Sequence, residues 1–168
     1  MKSLVAVLCL LTAALPAAPV KSNNLPDEAV AAFKTGTKFV LFSLEPPITR
    51  DPEKPQLKPE EGHHGFAIFG STELADAPSR ASAVAAITDA VRGFDGLLAL
   101  CFEPRHSLRV IAANGTTYDF VTCFECHQVY VYRGKKRIGT AGMTGSQKRL
   151  DDLLVAAKIP LAKPASSK

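Results

Sequence analysis

Leu108-Arg109-Val110-Ile111-Ala112-Ala113-Asn114-Gly115-Thr116-Thr117-Tyr118-Asp119-Phe120-Val121-Thr122-Cys123-Phe124 reads as two strands around a turn. Branched and aromatic side chains suit a pleated surface. Asn-Gly tolerates the positive φ that a two-residue hairpin turn requires. Two more short runs follow, Gln128 to Tyr132 and Arg137 to Ala141. Between them, Arg133-Gly134-Lys135-Lys136-Arg137 is the densest basic run, and its glycine makes it a solvated hairpin turn rather than a nucleic-acid patch. Connections this short join antiparallel neighbours, so the second half of the chain predicts a β-meander.

Working outward, Leu97 to Phe102 is an apolar run that predicts a central strand. Before it, Asp76-Ala77-Pro78-Ser79 opens a helix whose Val84, Ile87 and Val91 share a face, and Gly93 closes it. Gly65 to Phe69 predicts a buried strand, and Lys38 to Leu44 another. Pro26, Asp27 and Glu28 start a helix running to about Lys34 and stopped by Gly36. Pro46 to Gly62 holds five prolines and many charges, which predicts an exposed loop. Ser146 is placed to cap a last helix carrying Leu150, Leu153, Leu154 and Ala157 on one face. No internal repeat is present. The expected fold is α+β, an antiparallel sheet with about three helices packed mainly on one face.

The chain opens with Lys2, an uncharged stretch from Leu4 to Leu15, and then Pro16-Ala17-Ala18. Those are the three parts of a secretory signal peptide, here residues 1–20. The apolar stretch falls short of the roughly 20 residues a membrane span needs, and no later stretch is long enough. The expected protein is therefore exported, periplasmic or secreted, with one domain over residues 25–162, a flexible tail over 163–168 and no membrane span after cleavage. Removing Lys2 lowers the formal net charge from +4 to about +3, too mild a balance to suggest a nucleic-acid partner.

Cys9 leaves with the signal, so Cys101, Cys123 and Cys126 remain. Three thiols cannot all pair within one chain. With Asn114-Gly115 as a two-residue turn, Ala113 faces Thr116 and His106 faces Cys123, with Cys126 and Cys101 near the same end of the sheet. Cys101, His106, Cys123 and Cys126 are then expected as a candidate metal set, three thiolates and an imidazole suited to tetrahedral zinc. An oxidising compartment favours instead a disulfide with one buried free thiol and His106 merely hydrogen-bonded. Cys123-Phe124-Glu125-Cys126-His127 also matches the haem c attachment pattern, with Met143 as a second axial ligand, though strand alternation would send the two cysteines to opposite faces. A redox-active Cys123–Cys126 pair is a further alternative, but it lacks the helix N-terminus that lowers a thiol pKa. Arg105 lies near the cluster and is able to hold an anionic group by paired hydrogen bonds, although an ordinary surface arginine is the expected case.

His63-His64 reads as a solvated strand end, because adjacent residues of a strand point to opposite faces and make poor joint ligands. Asn114-Gly115-Thr116 matches a glycosylation acceptor, although the turn already accounts for it.

Cys101-Phe102-Glu103-Pro104-Arg105-His106 and Cys123-Phe124-Glu125-Cys126, with the strand Gly65 to Phe69 and the segment Ile159-Pro160-Leu161, resemble a group of uncharacterised exported bacterial proteins. The resemblance covers most of the mature chain. It implies that Cys101, Pro104, Arg105, His106, Cys123 and Cys126 are the group's signature. It also implies that the residue after the second paired cysteine varies, which makes His127 incidental. No activity comes with it. From the residues, the expectation is a structural or metal-binding Cys/His cluster.

Overall fold

A computed structural model of the chain describes residues 24–47, 53, 57–58, 60–94, 96 and 98–163. The signal-peptide reading of residues 1–20, much of the proline-rich loop 46–62 and all but Lys163 of the tail lie outside the described residues. Three helices, α1 (Asp27–Thr35), α2 (Ala77–Arg92) and α3 (Lys148–Ala156), accompany six strands. The strands are β1 (Gly36–Glu45), β2 (Ala67–Glu73), β3 (His106–Ala112), β4 (Thr117–Cys123), β5 (Gln128–Arg133) and β6 (Lys136–Gly142). They form one sheet in the order β2-β1-β3-β4-β5-β6, antiparallel at every pairing, which is the expected α+β meander.

Local chemistry accounts for the helix ends. Asp76 accepts the Ser79 amide at 2.7 Å, as an N-cap carboxylate does, and Pro78 sits in the first turn of α2. Ser146 stands one residue ahead of the α3 cap, Gln147, and its hydroxyl accepts the Lys148 amide at 3.1 Å. Alternation along the strands sends Phe39, Leu41, Leu108, Val110, Phe120, Val129 and Val131 to one face. There they pack with Ala29 and Ala32 of α1, Ala83 and Ile87 of α2, and Leu150 and Leu154 of α3.

Two strand expectations need correction. Residues 98–102 form no strand; Leu98 and Leu100 are exposed, because β1 occupies the place beside β3 that a central strand would take. The run instead rides over the end of the sheet, with Gln128 Nε2 donating to the carbonyls of Ala99 and Cys101. The strand expected from Gly65 to Phe69 begins at Ala67 and lies at the sheet edge, leaving Ile68 and Phe69 exposed.

The β3–β4 turn also differs from expectation by one residue. Ala112, not Ala113, bonds Thr116: its amide donates to the Thr116 carbonyl at 2.9 Å. The Gly115 amide donates to the Ala112 carbonyl at 2.9 Å, with Gly115 at φ 80°. A third turn residue shifts the ladder, so His106 pairs with Thr122 rather than Cys123. A one-residue slip exchanges the faces of every side chain on the partner strand. His106 and Thr122 thus face the helices, while Asp119, Val121 and Cys123 face the other way.

Gly115 has open space around its Cα, so a methyl group there meets no neighbour but is held at positive φ. Gly115→Ala is expected to cost about 1 kcal/mol, read as a lower denaturant midpoint with an unchanged far-UV CD spectrum.

Candidate functional site

The face of the sheet turned away from the helices carries a second, polar cluster. The segment around residues 61–66 covers it. Gly62 and Gly65 are at positive φ, and so is His64, at φ 55°. The His63 amide donates to the Phe66 carbonyl at 2.9 Å, closing a tight turn. His63-His64 is therefore not a strand end. The left-handed residue breaks the alternation, and both imidazoles point into the sheet, His63 being 3% exposed.

Each ring is clamped by an aromatic neighbour. Phe42 of β1 stacks on His63 at 4.3 Å between centroids, and Tyr132 of β5 stacks on His64 at 3.8 Å. The two imidazoles meet edge to face at 4.8 Å. His63 Nε2 lies 2.7 Å from Ser107 Oγ on β3. His64 Nε2 lies 2.7 Å from Asp119 Oδ2 on β4. Arg109, the β3 residue opposite Asp119, donates from Nε and Nη2 to its two oxygens at 2.7 and 2.8 Å.

The electrostatics follow from this packing. Burial pushes the His63 pKa down to about 4, outweighing the opposing pull of Asp119. His63 is thus neutral at physiological pH. Burial alone would raise the Asp119 pKa, but the hydrogen bonds from Arg109 and His64 outweigh it and hold the carboxyl below its ordinary value. The ligating atoms of His63, His64 and Asp119 all lie within 4.8 Å of one another. Two imidazoles and a carboxylate are a transition-metal donor set. A cavity of about 200 Å³, lined in part by His63, His64 and Arg109, opens beside them.

The residues singled out from the sequence lie elsewhere. Cys123 and Cys126 are joined as a disulfide across the β4–β5 turn, and both are buried. Cys101 is a free thiol, exposed rather than buried as expected, on the segment that rides over the end of the sheet. His106 faces the helices, with Nε2 2.8 Å from Asp151 Oδ1 of α3. Strand alternation thus separates His106 from Cys123, and the four expected zinc ligands are not gathered around one centre. A disulfide also offers neither thiolates to a metal nor thiols to haem vinyl groups. His127, at φ 58°, is exposed on the turn, while Met143 is in the core. The helix expected to be missing after the cysteine pair is indeed absent, since β5 follows directly.

Arg105 does meet an anionic group, one from its own chain. Its Nη2 lies 3.3 Å from Glu125 Oε1, between the two paired cysteines, and its Nη1 donates to the Lys163 carbonyl. The guanidinium is buried rather than at the surface, so this contact ties the disulfide turn to the segment just ahead of β3.

Under a two-residue turn Arg109 falls opposite Phe120, so Asp119, Arg109 and Ser107 carry no signal as a group. With Ala112 against Thr116, Arg109 falls opposite Asp119, and a charge pair appears within two apolar strands. The histidines had a signal too: Gly62 and Gly65 bracket them, which argues for a turn.

Two outcomes follow. Folded His63 has a lower pKa than its ordinary 6.5, so its contribution is complete above pH 6.5 and is lost as pH falls toward about 4. Denaturant titrations should show a loss of about 3 kcal/mol across that window, absent in His63→Phe. Asp119→Ala leaves Arg109 without its carboxylate and should cost about 3–5 kcal/mol at pH 7, measured the same way.

Comparisons with protein-family models, with curated proteins and with solved structures find no match to this chain.

Proposed function

We propose that this is an exported metal-binding domain that takes one divalent transition-metal ion through His63, His64 and Asp119. The observation that carries the reading is the convergence of two imidazoles and a carboxylate, with ligating atoms within 4.8 Å of one another, under a glycine-flanked turn. Export is supported by the leader-like residues 1–20 and by the disulfide pairing of Cys123 with Cys126.

The donor set suits zinc or a neighbouring ion. Metal ligation requires neutral imidazoles, and burial already keeps His63 neutral. His64 Nε2 lies against Asp119 Oδ2, in a contact that an ion would replace. Two ligands at about 2.1 Å from one tetrahedral ion stand about 3.4 Å apart, so the widest separation must close by roughly 1.4 Å. His63 and His64 ride on a covering turn rather than on a central strand, so the adjustment falls on the segment able to make it. Arg109 holds Asp119 through both oxygens, as outer partners orient ligating carboxylates. Ser107 is a further oxygen near His63. Three protein ligands leave a fourth position, which the adjoining cavity can supply with water or an exogenous group.

The competing reading is a buried polar network that pins the covering turn to the sheet. Equilibrium dialysis of the disulfide-bonded protein against Zn²⁺ at pH 7.5, followed by metal analysis, separates the two. The expected result is about one ion per chain, lost in His63→Ala and His64→Ala but kept in Cys101→Ser. Stoichiometry no higher than background in the wild type, or unchanged in both histidine variants, would overturn the proposal.

A further inference from the structure

The third cysteine has a place in the fold that the metal reading does not use. The segment carrying it is stitched to the disulfide turn at both ends. Upstream, the Ala99 amide donates to the Cys126 carbonyl at 3.1 Å. Downstream, the Glu103 amide donates to Cys126 Sγ itself at 3.1 Å. In the middle, Gln128 Nε2 lies 3.3 Å from the Cys101 carbonyl. Cys101 stands between the two anchors, two residues from each, and both anchors are bonded to Cys126.

The exposures are opposite. Cys101 is exposed, whereas Cys123 and Cys126 are 1% and 0% exposed. A thiol in solution cannot approach the buried pair directly, but Cys101 is exposed and belongs to the segment bonded to Cys126.

We propose that Cys101 is the nucleophile of an internal thiol–disulfide exchange that opens the buried Cys123–Cys126 bond to thiols in solution. The Cys101 thiolate attacks Cys126 Sγ. A Cys101–Cys126 bond forms, the Cys123–Cys126 bond breaks, and Cys123 leaves as a thiolate that takes up the proton Cys101 gave. One disulfide replaces another, with no oxidant or reductant consumed. The new disulfide has an exposed sulfur at Cys101. An external thiol attacks that sulfur, forming a mixed disulfide with Cys101 and leaving Cys126 as the second thiol. Exchange of this kind requires access and a nearby thiolate, and the segment Ala99–Glu103 supplies both.

Two measurements test it. The first is the rate at which reduced glutathione opens the buried disulfide in the folded protein at pH 8, followed by quenched alkylation and mass mapping. The wild type should react at least about tenfold faster than Cys101→Ser, because the variant has no internal route. Equal rates would overturn the proposal. The second is Cys123→Ser under mild air oxidation, which leaves Cys101 and Cys126 as the only thiols of the mature chain. A bond between them within the monomer is expected. If both remain alkylatable, or pair only between chains, Cys101 does not reach Cys126 and the proposal fails. Neither readout involves His63, His64 or Asp119, so the metal reading stands or falls separately.

Discussion

Two backbone hydrogen bonds across Ala113, Asn114 and Gly115 decide which side chains of the central hairpin share a face. Because strand side chains alternate with period two, the three-residue connection commits every position of β3 and β4 at once. It sends Leu108, Val110 and Phe120 to the helices. It sends Ser107, Arg109, Asp119 and Cys123 to the opposite face. The core on one side and the polar cluster on the other are thus consequences of the same local geometry.

Opposite faces then acquire different covers. The helices shield the apolar face and contribute Ala29, Ile87 and Leu150 to one continuous core. The second face is closed by aromatic stacking and by a tight turn instead of by a helix. Phe102 lies flat on Tyr130 at 3.6 Å, and the two histidine rings lie on Phe42 and Tyr132. Under that cover a full carboxylate is buried, which is tolerable only because Arg109 and His64 satisfy it. The same burial keeps His63 neutral. A neutral imidazole beside a charged carboxylate is a stable polar network and also a ligand set, and this dual character is what makes the site a candidate.

The cysteines occupy a separate region, at the end of the sheet where β4 turns into β5. There the disulfide, the Arg105–Glu125 pair and the overlying segment from Ala99 to Glu103 are linked to one another. The polar cluster and the thiol region share the sheet and meet at a ring contact, Phe66 of the covering turn against Phe102 at 6.0 Å.

The sequence by itself determined the elements and their class. Pro26 and Asp76 mark helix starts, Gly93 marks an end, and short connections between β-rich runs require antiparallel neighbours; all of these are local effects, readable over a few residues. Only the tertiary structure decided the faces and the partners. Asn114-Gly115 is compatible with either a two- or a three-residue connection, and the choice turns on how Leu108, Val110 and Phe120 bury against helices far away in the chain. His63 and His64 were legible as residues but not as a pair, since their convergence depends on one left-handed backbone angle. Leu98 and Leu100 look like a central strand until β1, some sixty residues earlier, takes the place beside β3. Patterning specifies which residues want burial; it does not specify which neighbour buries them, because that is settled by competition among distant segments for the same ladder of hydrogen bonds.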